Sequence, residues 1–107
     1  MAFRTATEIK DIIKNYYKIL IREGYPVEKI FLFGSYAQNQ QGKYSDIDLA
    51  VVLSKFSKDR FSTRLELMKF AREFEVVIEP HPFLSSEFNE PDPFISEILR
   101  TGEIVQS

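Results

Sequence analysis

Cysteine is absent from the 107 residues, and histidine occurs once. Disulfides and thiolate metal ligands are therefore excluded, and a single histidine is too little for a zinc site. The lack of cysteine makes the cytoplasm the plain expectation. No apolar run is long enough to cross a bilayer, and Met1-Ala2-Phe3-Arg4-Thr5 soon gives way to charged helical sequence rather than to the apolar segment of a secretion signal. Internal repeats and low-complexity stretches are missing as well. So is an excess of positive charge: 14 basic against 16 acidic residues leave a formal charge of -2. That argues against a protein that coats a long polyanion. It does not argue against a small nucleotide, because a bound metal ion inverts the electrostatics of an acidic site.

Apolar residues make up 44% of the chain, with ten Phe and five Tyr, enough for a modest core. The length suits one domain spanning residues 1–107. Between Thr7 and Arg22, Ile9, Ile12, Ile13, Tyr16, Tyr17, Ile19 and Leu20 recur at helical spacing, with Gly24 and Pro26 as the stop. Lys29 to Phe33 reads as a first strand, and a second begins at the aspartate pair and runs to about Ser54. A helix is predicted over Phe61 to Glu73, with Phe61, Leu65, Met68 and Arg72 on neighbouring turns and Leu67 and Ala71 broadening the apolar side. The β-branched run from Phe74 to Glu79 predicts a third strand ended by Pro80 and Pro82, which lack ladder donors. Pro93 to Arg100 predicts a short helix burying Phe94, Ile98 and Leu99, with Gly102 as its cap. This order predicts an α/β or α+β fold, a small sheet covered by helices.

Gly34 and Ser35 close the first strand, and Asp46-Ile47-Asp48 opens the second. Side chains two apart on a strand share a face, so Asp46 and Asp48 can converge while Ile47 turns to the core. Gly34 permits close backbone approach to a polyphosphate, and Ser35 offers a hydroxyl and an N–H to its oxygens. Carboxylates suit Mg²⁺, which keeps an octahedral oxygen shell. Taken singly, these residues make turns and caps; taken together, they point to a joint nucleotide and metal site.

The run Gly34-Ser35-Tyr36-Ala37-Gln38-Asn39-Gln40-Gln41-Gly42-Lys43-Tyr44-Ser45-Asp46-Ile47-Asp48-Leu49 resembles the minimal nucleotidyltransferase (MNT) family of the DNA polymerase beta superfamily, and the likeness extends over nearly the whole chain. The resemblance implies a polymerase-beta-like fold in which Gly34, Ser35 and Ser45 bind the nucleotide and Asp46 and Asp48 carry Mg²⁺. It also implies a third carboxylate on the following strand. There Glu79 is favoured as catalytic residue and metal ligand, with Glu75 the alternative, and Glu replaces the usual Asp. Asn39 stands where the family usually has Gly, and Gln38 where a basic residue is common; Lys43 reads as a solvated loop lysine. His81, between two prolines, reads as a structural hydrogen-bonding residue.

The activity implied is Mg²⁺-dependent transfer of AMP from ATP to a hydroxyl of a partner protein. The resemblance implies a partner of the HEPN class, as in toxin–antitoxin pairs. A nucleotide-binding interaction module without catalysis is the alternative, and transfer to an RNA end ranks behind it. Base preference, acceptor and oligomeric state are not legible in the residues.

Overall fold

The computed structural model describes residues 5–34, 46–89 and 91–106. Its elements are helix α1 (Ala6–Arg22), strands β1 (Val27–Phe33) and β2 (Ile47–Leu53), helix α2 (Arg60–Ala71), strand β3 (Ile78–Leu84), helix α3 (Pro93–Thr101) and strand β4 (Glu103–Gln106). The strands form one mixed sheet in the order β3-β2-β1-β4, with β1 antiparallel to both neighbours and β2 parallel to β3. This is the small α+β architecture expected from the sequence.

Alternation along the strands divides the core. Ile30 and Leu32 of β1, Ile47, Leu49, Val51 and Leu53 of β2 and Ile78 of β3 pack beneath α1 and α2. Phe31, Phe33, Ala50, Val52 and Phe83 face the other way, against Ile95 and Ile98 of α3. Helix α1 starts with a reciprocal cap between Thr5 and Glu8. It buries Ile9, Ile13, Tyr16 and Leu20. The buried Tyr16 hydroxyl donates to the Leu67 carbonyl at 2.7 Å, tying α1 to α2.

Four expectations are corrected. Helix α2 buries Leu67 and Ala71 as expected, with Thr63 beside them, but Phe61 is 68% exposed and Leu65 48%. Helix α3 buries Ile95 and Ile98, leaving Phe94 and Leu99 partly in solvent. The C-terminal segment after Gly102 pairs with β1 as β4 instead of only covering the core.

The fourth concerns β3, which starts at Ile78, so that Pro80 and Pro82 lie inside it and Glu75 lies in a bend before it. The backbone hydrogen bonds explain how. Ile47 N–H donates to the Val77 carbonyl and Ser85 N–H to the Leu53 carbonyl, so odd-numbered residues of β3 turn their polar groups to β2. Pro80 and Pro82 therefore face the open edge, where no N–H is required. Their carbonyls are not left bare. Arg64 Nε donates to the Pro80 oxygen at 3.3 Å, and Arg60 to the Pro82 oxygen at 2.6 Å. Two prolines and two arginines thus blunt the edge against further strand pairing.

Candidate active site

The same alternation that points Ile47 and Leu49 at α1 and α2 points Asp48 at the opposite face. Parallel register sets Asp48 across from Glu79, and Ala50 across from His81. On the other side of β2, Asp48 pairs with Phe33, the residue before Gly34. The order across the sheet at this end is therefore Gly34, Asp48, Glu79. Asp46 stands one residue before β2 and is half-buried.

Gly34 has φ +76°, and a Cβ built on it would lie 2.4 Å from Asp48 Oδ2. The left-handed backbone favours glycine here, and any side chain would push on the Asp48 carboxylate. Asp48, Glu79 and His81 each place one ligand atom within 4.8 Å of the others. The His81 ring sits beside Phe33 and Phe94, at centroid distances of 5.3 and 6.3 Å. Its Nε2 is 3.6 Å from Asp48 Oδ1, beyond hydrogen-bond range.

The electrostatics report a crowd of like charges. Hydrogen bonding to Asp46, then burial, then the charges of Asp46 and Asp48 push the Glu79 carboxyl above its ordinary value, with Arg64 opposing. Burial raises Asp48, helped by Asp46 and opposed by His81. Burial and then Arg64 hold His81 below its usual value, so its ring is neutral at pH 7 and its approach to Asp48 is not an ion pair.

A family model described as "Polymerase beta, Nucleotidyltransferase" matches residues 7–107. The chain belongs to that family. Two Methanocaldococcus jannaschii proteins, each named "putative protein adenylyltransferase", are similar to it. One is 42% identical over 67 residues, which cover 63% of this chain and 66% of the relative. The second is 52% identical over 48 residues, covering 45% of this chain and 48% of the relative. The matched stretch is thus about half to two thirds of those relatives' length.

Among solved structures, a chain of a toxin–antitoxin complex crystallised with AMP-PNP superposes with a TM-score of 0.65 at 24% identity, covering 88% of this chain and 73% of that one. A chain from the complex of tri-AMPylated Shewanella oneidensis HEPN toxin with MNT antitoxin gives 0.59 at 21%, covering 92% and 72%. Both likenesses concern the fold of this nucleotidyltransferase domain.

Of the site residues expected from the sequence, Gly34, Asp46, Asp48 and Glu79 are brought to one end of the sheet, whereas Glu75 lies outside β3. Ser35 and Ser45, with Gln38, Asn39 and Lys43, lie outside the described residues. Sequence reasoning weighed a substrate or phosphate contact for His81 but favoured a structural role, and it passed over Arg64. His81 was findable, since it lies two residues from Glu79 and so on the same strand face. Arg64 was not, because its place beside β3 depends on how α2 packs.

Asp48, Glu79 and His81 thus offer two carboxylate oxygens and one imidazole nitrogen within 4.8 Å of one another, a set that could hold a divalent cation. Asp46 adds a third carboxylate against Glu79.

A carboxyl whose folded pKa is raised stabilises the fold while protonated. That contribution is present below the unfolded pKa and is lost as pH rises through the folded one. At neutral pH and without metal, Glu79 therefore works against folding. Glu79→Gln is expected to raise the melting temperature in chelator and to shrink the further rise that Mg²⁺ produces in the wild type, as read by calorimetry. A lower melting temperature for the variant in chelator would contradict this electrostatic account.

Proposed function

We propose that this domain transfers AMP from a Mg²⁺-bound ATP to a hydroxyl on a partner protein, with Asp46, Asp48 and Glu79 as metal-holding and catalytic residues. The convergence of Asp48, Glu79 and His81, with Asp46 against Glu79, beside the left-handed Gly34 carries the reading. Gly34, together with Ser35 and Ser45 as expected from the motif, binds the phosphate tail. A divalent cation held by the carboxylates supplies charge neutralisation at the phosphate oxygens and lowers the pKa of the attacking hydroxyl.

The chain's own contribution is positioning and proton handling. The acceptor oxygen forms a bond to the α-phosphorus, the bond to the β-phosphate oxygen breaks, and pyrophosphate leaves on the Gly34 side. Glu79, in register with Asp48, is the carboxylate we assign to take the hydroxyl proton. The neutral His81 keeps a polar nitrogen near Asp48 without adding positive charge at pH 7.

The named activity of the Methanocaldococcus relatives supports adenylyl transfer, and the fold shared with toxin–antitoxin complexes supports a HEPN-class partner and an antitoxin role. The test is to incubate the protein with a HEPN-class candidate, Mg²⁺ and each nucleoside triphosphate, and to weigh both proteins by intact mass spectrometry. Addition of AMP units to the partner, with pyrophosphate released and loss of the reaction in Asp46→Asn, is expected. A stable complex without any mass change would instead leave a nucleotide-binding interaction module. Labelled RNA modified while the partner stays unchanged would move the acceptor class to nucleic acid.

A further inference from the structure

A groove of about 410 Å³ opens beside the carboxylates, between α2, β3 and α3. Arg60, Phe61 and Arg64 form one wall, His81 and Pro82 the floor, and Phe94 the far side. Phe61 is 68% exposed and Phe94 47%, so two large apolar rings face solvent at one opening. Neither exposure is needed by the fold, since α2 is held by Leu67 and Ala71 and α3 by Ile95 and Ile98. Both rings line the same groove, which gives it an apolar opening.

Position decides what the groove receives. Gly34, Asp48 and Glu79 follow one another across the sheet, and the groove lies farther out again, joined to the carboxylates through His81. In an in-line displacement the attacking oxygen approaches from the side opposite the leaving pyrophosphate. With the phosphate tail on Gly34, the opposite side is that of Glu79 and the groove. The surface is thus on the acceptor's path.

Charge then narrows the occupant. Arg60 is committed to the Pro82 carbonyl and the Glu87 carboxylate. Arg64 gives its Nε to the Pro80 carbonyl and no salt bridge among the described residues holds it; its charge reaches Glu79 and His81, and it lines the groove as the cation open to an incoming carboxylate.

We propose that this groove docks the acceptor segment of the partner protein through an apolar anchor side chain seated between Phe61 and Phe94 and a neighbouring carboxylate bound by Arg64. The proposal rests on the transferase reading, since the in-line argument places the acceptor. Aromatic walls exclude water from the anchor, and the guanidinium fork sets the register of the segment relative to Glu79.

The experiment selects random twelve-residue peptides displayed on phage against the wild-type domain, with counter-selection on Phe61→Ser. Enrichment of an aromatic or large aliphatic residue within three positions of Asp or Glu is expected. Synthetic peptides from the selection, followed by fluorescence polarisation, should bind at least about tenfold more weakly to Phe61→Ser and to Arg64→Glu. Exchanging the peptide's acid for Lys should restore binding to Arg64→Glu alone. Failure to enrich, or peptides bound equally by all three proteins, overturns the docking surface.

Calorimetry of ATP with Mg²⁺ separates this from the reading beneath it. If Phe61→Ser weakens ATP binding about tenfold, the groove holds the base and not an acceptor segment, and the docking proposal is overturned while transferase function stands. If wild-type protein does not bind ATP with Mg²⁺, the transferase reading itself fails. A labelled oligoribonucleotide that binds wild type and is lost in Phe61→Ser would likewise overturn a protein occupant.

Discussion

Asp48→Asn is expected to lower AMP transfer by about 10²–10³-fold, the loss typical of removing one charged or polar stabiliser from a preorganised site. Asn keeps most of the shape of Asp and surrenders the charge. Asp48 has the central place, with Gly34 against its Oδ2 on one side, Glu79 in register on the other and His81 nearby. The fold should not suffer. Asp48 sits where burial already works against its charge, so the metal-free melting temperature of the variant should equal or exceed that of the wild type. Transfer kinetics with saturating Mg²⁺, beside thermal melts in chelator, read both halves. Retention of more than about a tenth of the wild-type rate would remove Asp48 from the catalytic site.

Gly34→Ala is expected to be as damaging for a different reason. The left-handed backbone at φ +76° costs any residue with a Cβ about 1–2 kcal/mol. The added methyl would also stand 2.4 Å from Asp48 Oδ2, a separation that has to open beyond 3.0 Å. The carboxylate is the part that can yield, so the displacement falls on the functional group. Misplacing a catalytic group by about 1 Å costs about 10²-fold in rate. Gly24→Ala is the matched control. Gly24 has φ +92° with nothing within 4 Å of an added Cβ, so it should lose similar stability and keep its transfer rate. Transfer at the wild-type rate in both variants would dissociate Gly34 from the site, and an equal loss of transfer in both would assign the Gly34 effect to backbone strain alone.

The elements legible in the sequence were those whose signal is local. The helical spacing from Ile9 to Leu20 and the cap at its end locate α1 within a residue or so. The spacing Asp46-Ile47-Asp48 correctly sends Ile47 to the core, where it is fully buried. Helix α2 was legible in extent but only partly in orientation. Leu67 and Ala71 pack as their spacing predicts, with Thr63 beside them, whereas Phe61 and Leu65 at equally helical spacing stay exposed. A helix with two candidate stripes is oriented by what it docks against, and here the arginines between those stripes are drawn to the β3 carbonyls.

The sequence by itself determined the element types, the family motif and the residue kinds at the site, because helix periodicity, strand alternation and the glycine–aspartate spacing are written within a few positions. Only the tertiary structure decided that β3 is an edge strand, that its prolines turn outward, and that β4 pairs with β1. It also set Glu79 rather than Glu75 across from Asp48, through the parallel register of β2 and β3. The physical reason is that a proline is tolerated or forbidden in a strand according to which side carries the neighbour. That side, like strand register, is set by partners distant in sequence, and no local pattern of residues encodes it.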